Sequence, residues 1–573
     1  MGHGHPHHHD HDHAADADVP PALDLSVPDS ELSPADVSRR GFLRRAGLLG
    51  AGAAAAATVL GGTPAFAHDH GDDDHDHDHG RGHDGDSTGG FKWLAGDHHI
   101  HTQYSSDAQY RVIDQARHAH AYGLDWIVIT DHGSVAHAKI GVEKVNPDIV
   151  ATREQIKDLL VYQGMEWNIP AAEHATVFVH PGRNEVAVLK EFENAFDGSV
   201  KNAGGSSPAN EALAIAGIKF LGEQVRRRRV DGALFLANHP ARRGIDSPHE
   251  IRAWRDADPT VAVGMEGAPG HQAAGLPRAT PGRNRGYYDN SPSADSFAGY
   301  PAESYRTWGG YDWMTATVGG LWDSLLAEGK AWWISANSDS HVNYLDTSQR
   351  GPDSNFDLNG KSNDPVYGPL LTEAGDYWPG QYSRTHVGAS SFSYKAVMDG
   401  LRAGRVWVDH GGLIKGLDVR ARVAGDRRGN SGTALGGVLR VKRGTNVEVT
   451  IDIDLADTPN WSQFVPVLAR VDLIAGKVTG AVSDKDTFTA PNTRVVKSFE
   501  VNKRTGRISF TYSFGRINEP FYLRVRGTDG KRSQPGLMGA GVDPVGPALD
   551  VAGAADPWQD LWFYANPIWV LPS

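Results

Sequence analysis

From Phe91 to about Val408, short apolar runs alternate with longer amphipathic segments. Trp126–Thr130, Ala233–Ala237, Val261–Met265 and Ala331–Ala336 are apolar nearly throughout. Runs of this length without polar alternation fit strands buried on both faces. Between them, Tyr110–Tyr122 sets Val112, Ile113, Ala116 and Ala119 on one helical face and closes at Gly123. Asn210–Arg228 and Met314–Glu328 also read as helices. Repeated strand–helix units imply parallel strands, and this many of them imply a barrel. From Gly411 onward the period changes to two. Val447, Val449, Ile451, Ile453 and Leu455 alternate with polar residues, as do Ile508, Phe510, Tyr512 and Phe514. That pattern predicts a C-terminal antiparallel β-sandwich, with the aromatic stretch Trp558–Leu571 docking a last strand. Two polar stretches, Gly267–Trp308 and Asn343–Ser383, are long enough to be loops over a site.

The ends of the apolar runs carry polar groups of one kind. Asp97-His98-His99-Ile100-His101 and Asp131-His132 are the densest; Glu166, His239 and Asp339-Ser340-His341 follow other runs. In a parallel barrel such ends collect on one rim, where barrel enzymes place their chemistry. His99 and His101, two apart on an extended chain, face the same side. Asp107 is near enough in sequence to join them. His132 is assigned as a ligand, with Asp131 and Asp97 as carboxylates that hold the imidazoles from outside. If Val161–Trp167 and Thr176–Val179 form a hairpin, the return strand starts beside Glu166. His174 then lies at the rim and His180 roughly 20 Å further along. His174 is therefore the preferred ligand and His180 the alternative.

Composition narrows the chemistry. The chain has 573 residues, a net charge of −14 and no cysteine. Thiolate metal sites, iron–sulfur clusters and disulfides are excluded, leaving His, Asp and Glu as ligands. The acidic balance disfavours a stable nucleic-acid complex. Ser38-Arg39-Arg40-Gly41-Phe42-Leu43, an apolar stretch from Ala46 to Leu60 and Ala65-Phe66-Ala67 follow the order of a twin-arginine export signal cleaved after Ala67. The apolar stretch is too short to span a membrane comfortably, so no transmembrane segment is expected in the mature protein. His/Asp-rich tracts at His3–His13 and His68–Asp86 hold nearly half of the 28 histidines. They lack apolar periodicity and read either as weak metal-binding tracts or as solvated spacers. The expected organisation is a signal region over 1–67, a linker over 68–90, a catalytic domain over 91–410 and a sandwich over 411–573.

The ordered pieces D-H-H-I-H-T, I-T-D-H, G-M-E with a following His, N-H-P and S-D-S-H, over residues 97–341, resemble the polymerase-and-histidinol-phosphatase (PHP) superfamily of metallohydrolases. The segment Ser383–Asp409 and the ending L-W-F-Y-A-N-P-I-W-V look like an exported branch that includes the carbaryl-hydrolase-like proteins. The resemblance implies a distorted (β/α)7 barrel holding two or three divalent ions of zinc, manganese or iron. It carries ligand roles to His99, His101, Asp107, His132, Glu166, His174, His239, Asp339 and His341. His98 stands where the family usually has an apolar residue.

The expected function is an exported metal-dependent phosphoesterase, a phosphatase or nuclease-like enzyme acting on small-molecule or nucleotide phosphate esters. A hydroxide bridging the metals would be the nucleophile, and His132 or His174 the acid. Arg242 and Arg243 could clamp phosphate oxygens. A carbamate, ester or amide hydrolase on the same cluster is the alternative, and a non-catalytic metal-binding surface protein a third. His118, His120, His137, His249 and His271 read as surface or helix residues, and Arg278, Arg283, Arg285, Tyr287 and Tyr288 as part of the first long loop.

Overall fold

A computed structural model describes Pro28 and residues 90–270, 291–346, 348–371, 376–426, 432–531, 543–550 and 556–573. Every element below lies within Gly82–Ser573. The export signal, the His/Asp tracts, His271, Arg278, Arg283, Arg285, Tyr287 and Tyr288 lie outside the described residues. No helix among the described residues is long and apolar enough to cross a membrane.

The N-terminal half is built on strands β1 (Lys92–Asp97), β2 (Trp126–Ile129), β3 (Leu160–Asn168), β4 (His174–Val179), β5 (Ala233–Ala237), β6 (Ala262–Ala268), β7 (Trp333–Ala336), β8 (Ser383–Ala389) and β9 (Val406–His410). They run in the order β9-β8-β1-β2-β3-β4-β5-β6-β7. β1, β2 and β3 are parallel, as are β5, β6 and β7. β4 opposes both its neighbours. Its first residue, His174, pairs with Asn168 near the end of β3, and Ala175 pairs with Ala237 at the end of β5. The reversal thus brings the start of β4 to the edge where β3 and β5 finish.

Among the described residues no strand ladder joins β7 back to β8 or β1. Side chains and one isolated bridge make that link. Thr385 on β8 uses its hydroxyl to accept from Ala336 N (2.8 Å) and to donate to Ala336 O (2.6 Å). Asn566 Oδ1 accepts from Ile334 N at 3.0 Å, and Ile100 bridges Ser340. β6 and β7 approach so closely that a Cβ at residue 264 would lie 2.2 Å from Trp333 O, which is why glycine stands there.

Several helices depart from the sequence reading. The expected helix over Met314–Glu328 is two, Trp313–Ala316 and Leu321–Ala327, because Gly319 takes a left-handed φ of 77° between them. Val112–Ala121 buries Val112, Ala116 and Ala119 as expected and leaves Ile113 half-buried. His137–Gln155, Glu185–Phe196 and Pro248–Ala257 are further helices. The last begins with Pro248 after Ser247, whose hydroxyl and the Glu250 carboxylate cap each other's backbone. His137 opens the helix His137–Gln155, as a helix reading allows, and is buried against Glu193 at 2.8 Å.

Beyond residue 410 an antiparallel sheet of Ile414–Val423, Thr445–Leu455 and Arg507–Ile517 faces a second layer across an apolar core. Val447, Val449, Ile451, Ile453 and Leu455 point into that core from one side, and Val471, Leu473, Leu523 and Val525 from the other. One pairing, Val438–Val441 with Ile568–Pro572, is parallel. The second layer is continuous with the N-terminal strands, because Trp562–Ala565 pairs with both β9 and Phe521–Thr528. A buried ion pair reinforces the joint. Arg524 places Nε and Nη2 on the two oxygens of Asp323 at 2.8 and 2.7 Å, and its guanidinium lies 4.7 Å from the Trp322 ring centroid. Arg524→Met leaves the Asp323 carboxylate buried without its cation, and is expected to cost about 3–5 kcal/mol in denaturant unfolding. Lys415→Met, at an exposed pair with Asp457, should change stability by less than about 1 kcal/mol in the same assay.

Candidate metal centre

The strand ends converge on one carboxylate. Glu166, in β3 and only 1 % exposed, has Oε1 at 3.1 Å from His99 Nε2, 3.1 Å from His174 Nδ1 and 3.2 Å from His239 Nε2. Its Oε2 lies 2.6 Å from His132 Nδ1 and 3.6 Å from His101 Nε2. Asn238 Nδ2 donates to Oε1 at 3.1 Å. Asp339 Oδ1 sits 3.2 Å from both His99 Nε2 and His101 Nε2. His341 Nε2 is 3.3 Å from His132 Nε2, and Asp107 Oδ2 is 3.1 Å from His132 Nε2. All nine residues singled out as ligands in the sequence therefore meet in one cage. His99, His101 and Glu166 form its closed floor, while His132 (24 % exposed), His174 (22 %) and Asp107 (55 %) form its open side.

Local backbone explains the convergence. After β1 the chain stays extended: Thr130 Oγ1 accepts from Ile100 N, and His101 N donates to Ser340 O. His99 and His101 thus face the cage while His98 faces inward. There His98 meets the Ser335 and Thr176 hydroxyls at 2.8 and 3.2 Å. Burial and the neighbouring His99 push its pKa down to about 3, so His98 is a neutral interior ring and not a cage member. Asp97 accepts from His99 N and Ser338 N, tying β1 to the turn after β7; burial pushes it up to about 7. Asp131 turns away from the cage and accepts from Thr102 N, the Thr102 hydroxyl and the Ser105 hydroxyl. Ser105 Oγ lies 3.0 Å from His101 Nδ1 and accepts from His132 N, so Asp131 acts through it on the ring of His101 and the backbone of His132. His239 and Asp339 both adopt left-handed φ, 30° and 47°. Such strain, about 1–3 kcal/mol per residue, persists only where surrounding contacts enforce it.

His180 lies at the far end of β4, its Nδ1 2.8 Å from Pro181 O, and takes no part in the cage. Arg242 beside His239 is held by Glu173 at 3.0 Å, whereas Arg243 is exposed. His386 stacks on Trp407 and bonds Asp409, away from the cage. Sequence reasoning missed Glu266, Asn238, Glu173 and Ser105. For Glu266 the signal was present, since Gly264-Met265-Glu266 repeats Gly164-Met165-Glu166 at the end of another apolar run.

The arrangement fits cations. Glu166 Oε2 is buried with no hydrogen bond of good geometry, and the His99 and His101 Nε2 atoms face each other at 3.0 Å. Ring nitrogens aimed at one another and at carboxylate oxygens are what divalent ions of the zinc, manganese or iron type require. Four overlapping triads could each hold an ion: His101/His132/His341, His99/His101/Glu166, His132/Glu166/His174 and Glu173/His174/His239.

The PHP domain family matches residues 97–202. The chain carries a PHP domain. No curated protein matches the chain. Among solved structures, it is similar to a two-domain protein from Bacteroides vulgatus containing a predicted PHP-like metal-dependent phosphoesterase. The two share 15 % identity over 76 % of this chain and 91 % of that one, with a TM-score of 0.28. A proposed metal-dependent phosphoesterase from Bifidobacterium adolescentis matches at 16 % identity over 30 % of this chain and 76 % of that one, with a TM-score of 0.19. Similarity at that level says nothing about the substrate of this chain. A PHP domain carrying a cage of this composition supports a metal-dependent hydrolase.

Electrostatics among the cage residues give a pH signature. Burial alone would lower His99 and His132. Asp339, Glu166 and Glu266 outweigh it at His99, and Glu166 and Asp107 outweigh it at His132; both are held well above the ordinary 6.5. Burial would raise Glu166, but His174, His99 and His132 hold it well below the ordinary 4.5. Glu166 therefore stabilises the fold above pH 4.5 and loses that effect as pH falls. The two histidines stabilise it fully below 6.5 and lose that effect as pH rises through their folded values. Thermal unfolding of chelator-treated protein is expected to show stability falling as pH rises above 6.5, a decline that Glu166→Gln flattens.

Proposed function

We propose that this chain is an exported metal-dependent phosphoesterase working at the cage around Glu166. The observation that carries the reading is five imidazoles within 3.6 Å of that one carboxylate, open on the side of His132 and His174. Divalent ions held there would supply Lewis acidity and an activated water. His99, His101, Asp107, His132, Glu166, His174, His239, Asp339 and His341 would hold them, with Asp97 and Asp131 fixing the floor from behind. His132 has both ring nitrogens engaged, by Glu166 and Asp107. His174 has Nδ1 on Glu166, so its Nε2 is the atom assigned to hand a proton to the departing alkoxide. Arg242, kept in place by Glu173, is the cation assigned to phosphate oxygens. The strands form a distorted barrel whose closure runs through Thr385 and Asn566. The Arg39-Arg40 motif and the A-x-A site after it support export.

Metal-reconstituted protein is expected to hydrolyse an aryl phosphomonoester or phosphodiester. Glu166→Ala should lower kcat/KM by more than about 100-fold, since losing an outer partner of a ligand alone costs 10–100-fold. His174→Ala should lower kcat more than KM. Steady-state kinetics on phosphomonoester, phosphodiester and aryl carbamate panels decide the reading. Hydrolysis confined to the carbamate overturns the phosphoester assignment and keeps the hydrolase.

A further inference from the structure

Glu266 lies behind the cage, on β6, and among the described residues no metal-type triad includes it. Its side chain is fully buried. Oε1 is 2.7 Å from His99 Nδ1 and Oε2 accepts from His239 N at 2.6 Å. The two oxygens of one carboxylate are thus spent on two cage members, one through its ring and one through its backbone. The first contact makes Nδ1 of His99 a donor nitrogen, which leaves Nε2 as the nitrogen that would face an ion, toward Glu166, Asp339 and His101. The second anchors the residue that holds φ 30° at the end of β5, where an unanchored backbone would relax and swing the ring away. Glu266 itself sits on a rigid base: β6 pairs with β5 on one side and β7 on the other, at the close approach over Gly264.

We propose that Glu266 is a positioning residue that fixes the tautomer of His99 and the backbone of His239 together, so that removing it weakens ion capture by both rings. This rests on the cage being a metal centre, and the controls separate the two ideas. The test measures affinity and stoichiometry for Zn2+ alone, by chelator competition and elemental analysis, on the full chain, with thermal unfolding of the metal-free protein alongside. Glu266→Ala is expected to lose about 10- to 100-fold in affinity. Glu266→Gln keeps the shape and an oxygen for His99 Nδ1–H, but turns an amide donor toward His239 N–H. It should fall between wild type and Glu266→Ala, and it carries the test if the alanine variant does not fold. Wild-type affinity and stoichiometry in whichever Glu266 variant folds, even with a lowered unfolding midpoint, would make Glu266 a merely structural carboxylate and overturn the proposal. Wild-type affinity in Glu166→Ala would instead remove the metal-centre reading.

Discussion

A carboxylate sealed from water must be neutralised where it stands, and Glu166 is the charge around which this protein is arranged. Burying an ionised carboxylate without partners costs many kcal/mol. Here five imidazoles and one amide from four different strand ends answer it. These strand ends lie far apart in sequence, from His99 to His239, so the carboxylate is satisfied only when they have come together. The same convergence leaves ring nitrogens facing one another, a contact that divalent ions relieve. Folding and ion capture in this cage therefore draw on one set of contacts.

The reversed strand β4 is what completes the ring. A parallel strand there would bring its last residue to the rim and place His174 on the opposite face of the molecule. Running backwards, it delivers its first residue instead, and the glutamate of β3 and the histidine of β4 meet across one hairpin. The left-handed residues His239 and Asp339 serve a related purpose. Each turns the chain sharply just beyond a strand, so that a side chain is aimed across the rim and not along it.

Much of this was legible from the sequence because burial and geometry write it there. Apolar runs gave the parallel strands, the two-residue spacing of His99 and His101 gave their common direction, and the hairpin argument favoured His174 over His180. The alternation in Thr445–Leu455 reported one face of the sandwich. What escaped had physical reasons. Glu266 follows a run read as strand, but it speaks to the cage through Nδ1 and a backbone amide, and such outer contacts have no characteristic spacing. Ser105 and Asn238 are small polar residues whose roles depend on where the loop folds back. His98 stood where an apolar residue is usual, and the alternation of an extended chain turns it to the interior hydroxyls. The break at Gly319 was hidden within an otherwise helical stretch, and the continuity of the sheet past residue 410 could not be read from a change of period.

The amide of Asn566 holds the backbone of β7, the strand that leads to Asp339 and His341. Beside the Thr385 hydroxyl and the Ile100 bridge, that wall of the cage gains this fastening only when a residue more than two hundred positions downstream has left the ribosome. Synthesis is vectorial, so a nascent chain presents most of its ligands well before this last fastener is available. A truncated product would display imidazoles without a finished enclosure, and the finished enclosure would mark a chain that had been translated through its sandwich.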